Sequence, residues 1–248
     1  CFVLGGVAYF EEVACLTVKN VLAHDSLVTS NGRNSRASAS IFGIAASNSS
    51  VFAEIRSVRS NVSAAGDFSQ ALGGAVSVLS GNTTLTDCVF SQSTVRCSGD
   101  DCVAMGGILS AVSTLIYRTG YDNLVTIRSS SFTLGAAECA GRSCSASGGA
   151  IATGTSNNAS IWIDISIPRV LDERPPKMRI DISNCTFERN SVSSSAKDAS
   201  ATGGAITIQS TEANISNSIF SDNHIQSGNM IRFAGGGALY VSQTDSKL

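Results

Sequence analysis

The 248-residue sequence predicts an all-β fold: a single-stranded parallel β-helix of about six coils, right-handed by analogy with the commonest form of that solenoid. Three features predict it. Glycine pairs recur along the chain. Small and apolar residues follow each pair at alternating steps of two and three. Phenylalanine and asparagine return at fixed places within that pattern.

The glycine pairs are Gly5-Gly6, a degenerate Phe42-Gly43, Gly73-Gly74, Gly106-Gly107, Gly148-Gly149, Gly203-Gly204 and Gly236-Gly237. Gly73 and Gly106 are 33 residues apart, as are Gly203 and Gly236. The intervening spacings of 42 and 55 read as the same unit carrying insertions at about 112–123 and 154–178. Internal repetition of this kind is the signature of a solenoid.

Within the units the inward positions read Leu16, Val18, Val21, Ala23, Ser26, Val28, then Ala53, Ile55, Val58, Ser60, Ser63, Ala65. Next come Thr83, Leu85, Cys88, Phe90, Ser93, Val95, followed by Val125, Ile127, Ser130, Phe132, Gly135, Ala137. The last two are Ile180, Ile182, Cys185, Phe187, Asn190, Val192 and Ala213, Ile215, Ser218, Phe220, Asn223, Ile225. A step of two is one pleat of a strand, with the side chain returning to the same face. A step of three adds a bend after which the next residue still points inward. A helical face needs i, i+3, i+4, i+7 and does not fit. Coils would then stack at about 4.8 Å, the spacing of paired strands. Phe90, Phe132, Phe187 and Phe220 would form an aromatic column, and Asn190 over Asn223 an amide ladder. A β-sandwich is the competing architecture, but its strands seldom preserve such columns.

The tetrapeptides "GGAV" (73–76), "GGAI" (148–151 and 203–206) and "GGAL" (236–239), with "FERN" (187–190) and "FSDN" (220–223), carry a family resemblance. They resemble the GGA[ILV]/FxxN repeats of chlamydial polymorphic membrane protein adhesins. The resemblance covers most of the chain and implies a pectin-lyase-type parallel β-helix with a surface role. That family's outer-membrane barrel has no counterpart here.

Of the eight cysteines, seven fall into ordered slots. Cys97 and Cys102 precede Gly106 as Cys139 and Cys144 precede Gly148, so two adjacent coils carry C-x4-C in the same loop. Pairing within each loop is favoured, because each motif comes as a unit. Pairing between stacked equivalents also fits disulfide reach. A zinc site is the rival, with no histidine in these loops to support it. Cys88 and Cys185 share the inward column two coils apart and are expected as buried thiols. Cys1 occupies the slot of Cys102 and Cys144, so its within-loop partner would lie upstream. The chain stops at "GGGALYVSQTDSKL", one strand into a further coil, without a capping helix or charged edge. The expectation is a segment of a longer solenoid, or one whose ends are covered by flanking coils or other copies.

Composition narrows the function. Charged residues make up 15% and the net charge is −2, which leaves no basic footprint for nucleic acid. No apolar run reaches the length of a membrane helix, so this segment is not expected to insert directly. Sequons at Asn48, Asn61, Asn82, Asn158, Asn184 and Asn214, with the paired cysteines, favour an extracellular or cell-surface, oxidising setting.

Carbohydrate-active β-helices need carboxylates clustered on outward positions of neighbouring coils. The outward column between the first two inward positions is Thr17, Glu54, Thr84, Thr126, Asp181, Asn214, with its two acids three coils apart. The next is Leu22, Arg59, Val89, Ser131, Thr186, Ile219. After the glycine pairs the outward residues include Ser77, Ser110, Ala152, Thr207 and Tyr240. Asp100-Asp101 reads as a solvated turn, and His24 and His224 as separate surface residues. No catalytic set and no cofactor or metal site follows. The insertion 154–178 holds the only tryptophan, Trp162, which would stack on a sugar or protein partner or pack beneath its own loop. The chain is therefore expected to be a noncatalytic extracellular or cell-surface structural or adhesive rod, with loops contacting surface proteins or glycans. It would serve as an adhesin or as a subunit of a filament or wall. The alternative is a carbohydrate-active or glycan-binding β-helix.

Overall fold

The computed structural model describes residues 2–4, 6–11, 13–113, 123–155, 178–195, 198–209, 211–227 and 231–242. Cys1, Asn158, Trp162 and most of both expected insertions lie outside them. Among the described residues the fold is all-β, and every strand pair is parallel. The strands make three sheets of seven, ten and eleven strands. Successive repeats add successive strands to each sheet. Gln70–Leu72, Val103–Met105 and Ser145–Ser147 are neighbours in the seven-stranded sheet, and Val89–Ser91, Ser131–Thr133 and Thr186–Glu188 are neighbours in the ten-stranded sheet. Val76–Thr86, Asn123–Arg128, Met178–Ser183 and Thr211–Ser216 follow one another in the eleven-stranded sheet.

Bends between the strands explain the steps of three. One column of residues with positive φ runs Asn20, Glu54, Asp87, Ser129, Asn184, Asn217, and a second runs Asp25, Arg59, Gln92, Leu134, Arg189, Asp222. Asn and Asp tolerate this left-handed conformation best, and they fill half of these positions. The residue after the first bend is Val21 and Ile55 in the first two repeats, then Cys88, Ser130, Cys185 and Ser218. Each of the last four side chains donates back to the carbonyl two residues earlier, at 3.3, 2.7, 3.2 and 2.9 Å. Cysteine and serine interchange here because both supply that donor.

The glycine pair makes the third bend. Gly73, Gly106, Gly148, Gly203 and Gly236 all have positive φ, and a Cβ on Gly74, Gly107, Gly149 or Gly204 would collide with the carbonyl of the second glycine one repeat on.

Two sequence expectations about register are corrected here. The degenerate glycine pair is Ala39-Ser40, not Phe42-Gly43: Ala39 has φ 53° and donates to Leu72 O, as Gly73 donates to Met105 O. Phe42 and Gly43 align with Val76 and Ser77. The second repeat is displaced by three residues. Ser50, Phe52, Ser57, Ser60 and Val62 occupy the inward columns, with Phe52 opposite Leu85 and Ser57 opposite Phe90. Glu54 and Arg59 are bend residues rather than outward strand residues. The alternation of two and three matches itself after a shift of about half a period, and this serine-rich repeat lacks the phenylalanine that pins register elsewhere.

The aromatic column forms as expected. Phe90–Phe132, Phe132–Phe187 and Phe187–Phe220 stack with centroids 5.5, 5.1 and 4.9 Å apart. Asn190 Nδ2 donates to Asn223 Oδ1 at 2.9 Å and to Phe132 O at 3.0 Å, while its Oδ1 accepts from Gly135 N at 2.8 Å. Isoleucines and valines of the eleven-stranded sheet complete this main core, and a second apolar cluster lies where the ten- and seven-stranded sheets meet. A third cluster, Ala45, Leu72, Leu79, Met105, Val112 and Ala152, sits on the opposite faces of the seven- and eleven-stranded strands. Ser77, Ser110, Ala152 and Thr207 share that outward face, as read from the sequence, but the face is not open to solvent. All four are buried, because the outer faces of those two sheets close against each other along a seam. Thr207 Oγ1 donates across it to Thr202 O at 2.8 Å.

Candidate functional site

Two features stand out on this framework: the outward face of the ten-stranded sheet and the corner formed by the paired cysteines. Outward columns, in their observed register, read Thr17, Val51, Thr84, Thr126, Asp181, Asn214 and Leu22, Arg56, Val89, Ser131, Thr186, Ile219. Glu54 leaves the first column, so Asp181 is the acid that remains, in an ion pair with Arg179 at 3.1 Å. Leu22, Val89 and Ile219 are exposed apolar residues of the second column. His24 and His224 are exposed on separate repeats, and Asp100 and Asp101 lie exposed in a turn. That turn is ordered by stacking: Asp100 N donates to Asp67 Oδ1 at 3.3 Å, and Arg142 N to Asp100 Oδ1 at 3.0 Å.

A shallow groove on the ten-stranded sheet is lined by Arg96, Ser98, Glu138, Ser193, Ser195 and Gln226. The register partners Arg96 and Glu138 pair across it at 2.6 Å. Sequence reading missed this ion pair. Its signal was available, since both residues immediately precede the first cysteine of their loops. Asn184 and Asn214 are exposed among the sequons, and Asn61 and Asn82 are half-buried. Asn82 Oδ1 accepts from Leu124 N at 3.0 Å. The side chain of Asn48 lies outside the described residues.

The cysteine corner joins the ten- and seven-stranded sheets. Cys97 pairs in register with Cys139, and Ser145 N donates to Cys102 O, which places Cys144 beside Cys102. Cys139 and Cys144 are bonded to each other, with Cα atoms 6.1 Å apart. Cys97 and Cys102 are buried thiols in hydrogen-bonding contact. That contact, with burial, pushes Cys97 far above the ordinary thiol range and lowers Cys102. The sulfurs of Cys102, Cys139 and Cys144 all lie within 4.8 Å of one another, a spacing a soft metal ion could bridge. The Cys139–Cys144 bond uses two of those three ligands, so the arrangement fits disulfide chemistry rather than a thiolate metal centre. Cys88 and Cys185 are buried in the main core, as expected, and burial pushes both thiols up.

Comparison of the chain with protein-family models, with curated proteins and with solved structures found no match.

Proposed function

We propose that the chain is a noncatalytic extracellular or cell-surface parallel β-helix, a stiff rod whose outward face and loops contact surface proteins or glycans. One observation carries this reading: equivalent side chains stack in register from repeat to repeat, as in the four-phenylalanine column. Three parallel sheets joined by recurring bends, each repeat adding one layer, are what a single solenoid requires. The GGA[ILV]/FxxN repeats, which resemble those of the chlamydial adhesins, agree with a surface role. A bonded cysteine pair and the exposed sequons Asn184 and Asn214 suit an oxidising, secreted setting.

A glycan-binding role is the second reading, favoured by the polar groove beside Arg96 and Glu138. Both readings are tested by incubating the chain with acidic and neutral polysaccharides while following binding and turnover. Binding without turnover, weakened in Arg96→Ala, supports the glycan-contacting form of the rod. Turnover of an acidic polysaccharide that Asp181→Asn abolishes would replace the structural reading with a catalytic one.

A further inference from the structure

The two C-x4-C loops differ in the state of their sulfurs: Cys139 and Cys144 are bonded, while Cys97 and Cys102 are thiols in contact. Their backbones are equivalent. Cys97 and Cys139 are register partners, as are the strands that open after Cys102 and Cys144, Val103–Met105 and Ser145–Ser147. Both loops turn through a glycine with positive φ followed two residues later by a second positive φ, Gly99 and Asp101 in one and Gly141 and Ser143 in the other.

Neighbouring repeats show what the slots hold otherwise. The first column runs Ser30, Ala64, Cys97, Cys139, Ser194, and the second runs Ser35, Ser69, Cys102, Cys144, Ala199. These are small side chains facing each other across a tight corner. In an outer repeat Ser35 Oγ donates to Ser30 O at 3.3 Å, spanning the two slots without a covalent link. Cysteines fill both slots of one repeat or neither among these described repeats, as a pairwise function demands. All four cysteines are buried, so the loop edges give them no role as surface thiols.

We propose that Cys97 and Cys102 form a second within-loop disulfide, stacked directly on Cys139–Cys144, so that the corner carries a two-rung disulfide ladder. The exchange takes place as the chain folds, before the corner closes over the sulfurs: the Cys102 thiolate attacks a small disulfide oxidant such as oxidised glutathione and releases one glutathione thiolate. Cys97, deprotonated in turn, displaces the second glutathione from the mixed disulfide. One Sγ–Sγ bond forms, one is broken in the oxidant, two protons leave the protein, and two electrons pass to the oxidant. The ladder pins each loop to its own corner and leaves successive repeats joined by hydrogen bonds and packing alone. This inference stands on the register of the loops and not on the proposed surface function.

Disulfide mapping of the intact chain tests it. The protein is refolded in a mixture of oxidised and reduced glutathione, quenched and unfolded in acid, alkylated, digested with trypsin and analysed by mass spectrometry. Trypsin leaves Cys97 and Cys102 in one peptide, 97–118, and separates Cys139 from Cys144 after Arg142. The expected peptide 97–118 is unalkylated and two hydrogens lighter than its dithiol form, and reduction before alkylation adds two labels. Recovery of that peptide with both cysteines alkylated would overturn the proposal. So would its recovery joined to the peptides of Cys139 or Cys144, which would mean pairing between repeats. The glycan-binding and turnover assays do not depend on either result, so the two readings fail separately.

Discussion

Asn190 is fully buried and spends both ends of its amide on neighbouring repeats, accepting from Gly135 N and donating to Phe132 O and Asn223 Oδ1. Removing the amide strands buried backbone groups, each at about 1–3 kcal/mol. Asn190→Ala is therefore expected to cost about 2–4 kcal/mol in urea unfolding, and Asn223→Ala less, since Asn223 is only half-buried. Equal losses would contradict the ladder. The thiols of Cys88 and Cys185 give a pH dependence. Burial raises both above the ordinary value of 9.0, so the folded state holds its protons where the unfolded chain releases them. The unfolded state then binds fewer protons, and stability falls as pH rises above about 9, by at most about 1.4 kcal/mol per pH unit for each thiol. The Cys88→Ser, Cys185→Ser double variant keeps the back-bonding that Ser130 and Ser218 already show, and its urea midpoint is expected to decline less between pH 8 and 10 than the parent's. An identical decline would mean that these thiols do not titrate differently on folding.

Bends and strands were legible in the sequence to different degrees. The strands after Gly73, Gly106, Gly148 and Gly203 were found because phenylalanine or asparagine marks their columns. The second repeat slipped because Ser57 and Ser60 stand where Phe90 and Ser93 stand one repeat later. Alternation also shows that Ser77 and Leu79 face away from Val78, but not that a second sheet closes over that face. Burial on the seam comes from a contact between sheets, which no local period encodes. The cysteine slots were legible as pairs, and the Arg96–Glu138 contact could have been read from the same slots, since each residue stands just before the first cysteine of its loop. At the second bend, Leu134 has φ 55° and is exposed, a conformation that costs a non-glycine side chain about 1–2 kcal/mol. Leu134→Asn is expected to raise stability by about 0.5–1 kcal/mol, because Asn tolerates the left-handed region and no core contact is lost. A lowered unfolding midpoint would show that the bend carries no such strain.

Across the whole molecule, stability depends on neighbours in the stack. Phe132 lies between Phe90 and Phe187, while Phe220 stacks on Phe187 and is half-buried. Phe132→Ala is expected to cost about 3–5 kcal/mol, and Phe220→Ala clearly less. If the repeats form one continuous solenoid, the interior substitution weakens the contacts on both sides of it. The reading as a surface rod rests on that continuity, since a stack joined through its core transmits load along its length while its outer residues vary.

Engineered cross-linking tests this in-register stacking most directly. Asp181 and Asn214 are register partners on adjacent strands with outward side chains, and Ser216 lies two residues farther along the same face. Register partners stand about 4.8 Å apart, within disulfide range, whereas the displaced pair lies beyond it. In the Asp181→Cys, Asn214→Cys variant, mild oxidation followed by peptide mapping should recover the new cross-link in the folded protein. The Asp181→Cys, Ser216→Cys variant should give little or none. Efficient bonding of the displaced pair, or no bonding of the register pair, would contradict the account.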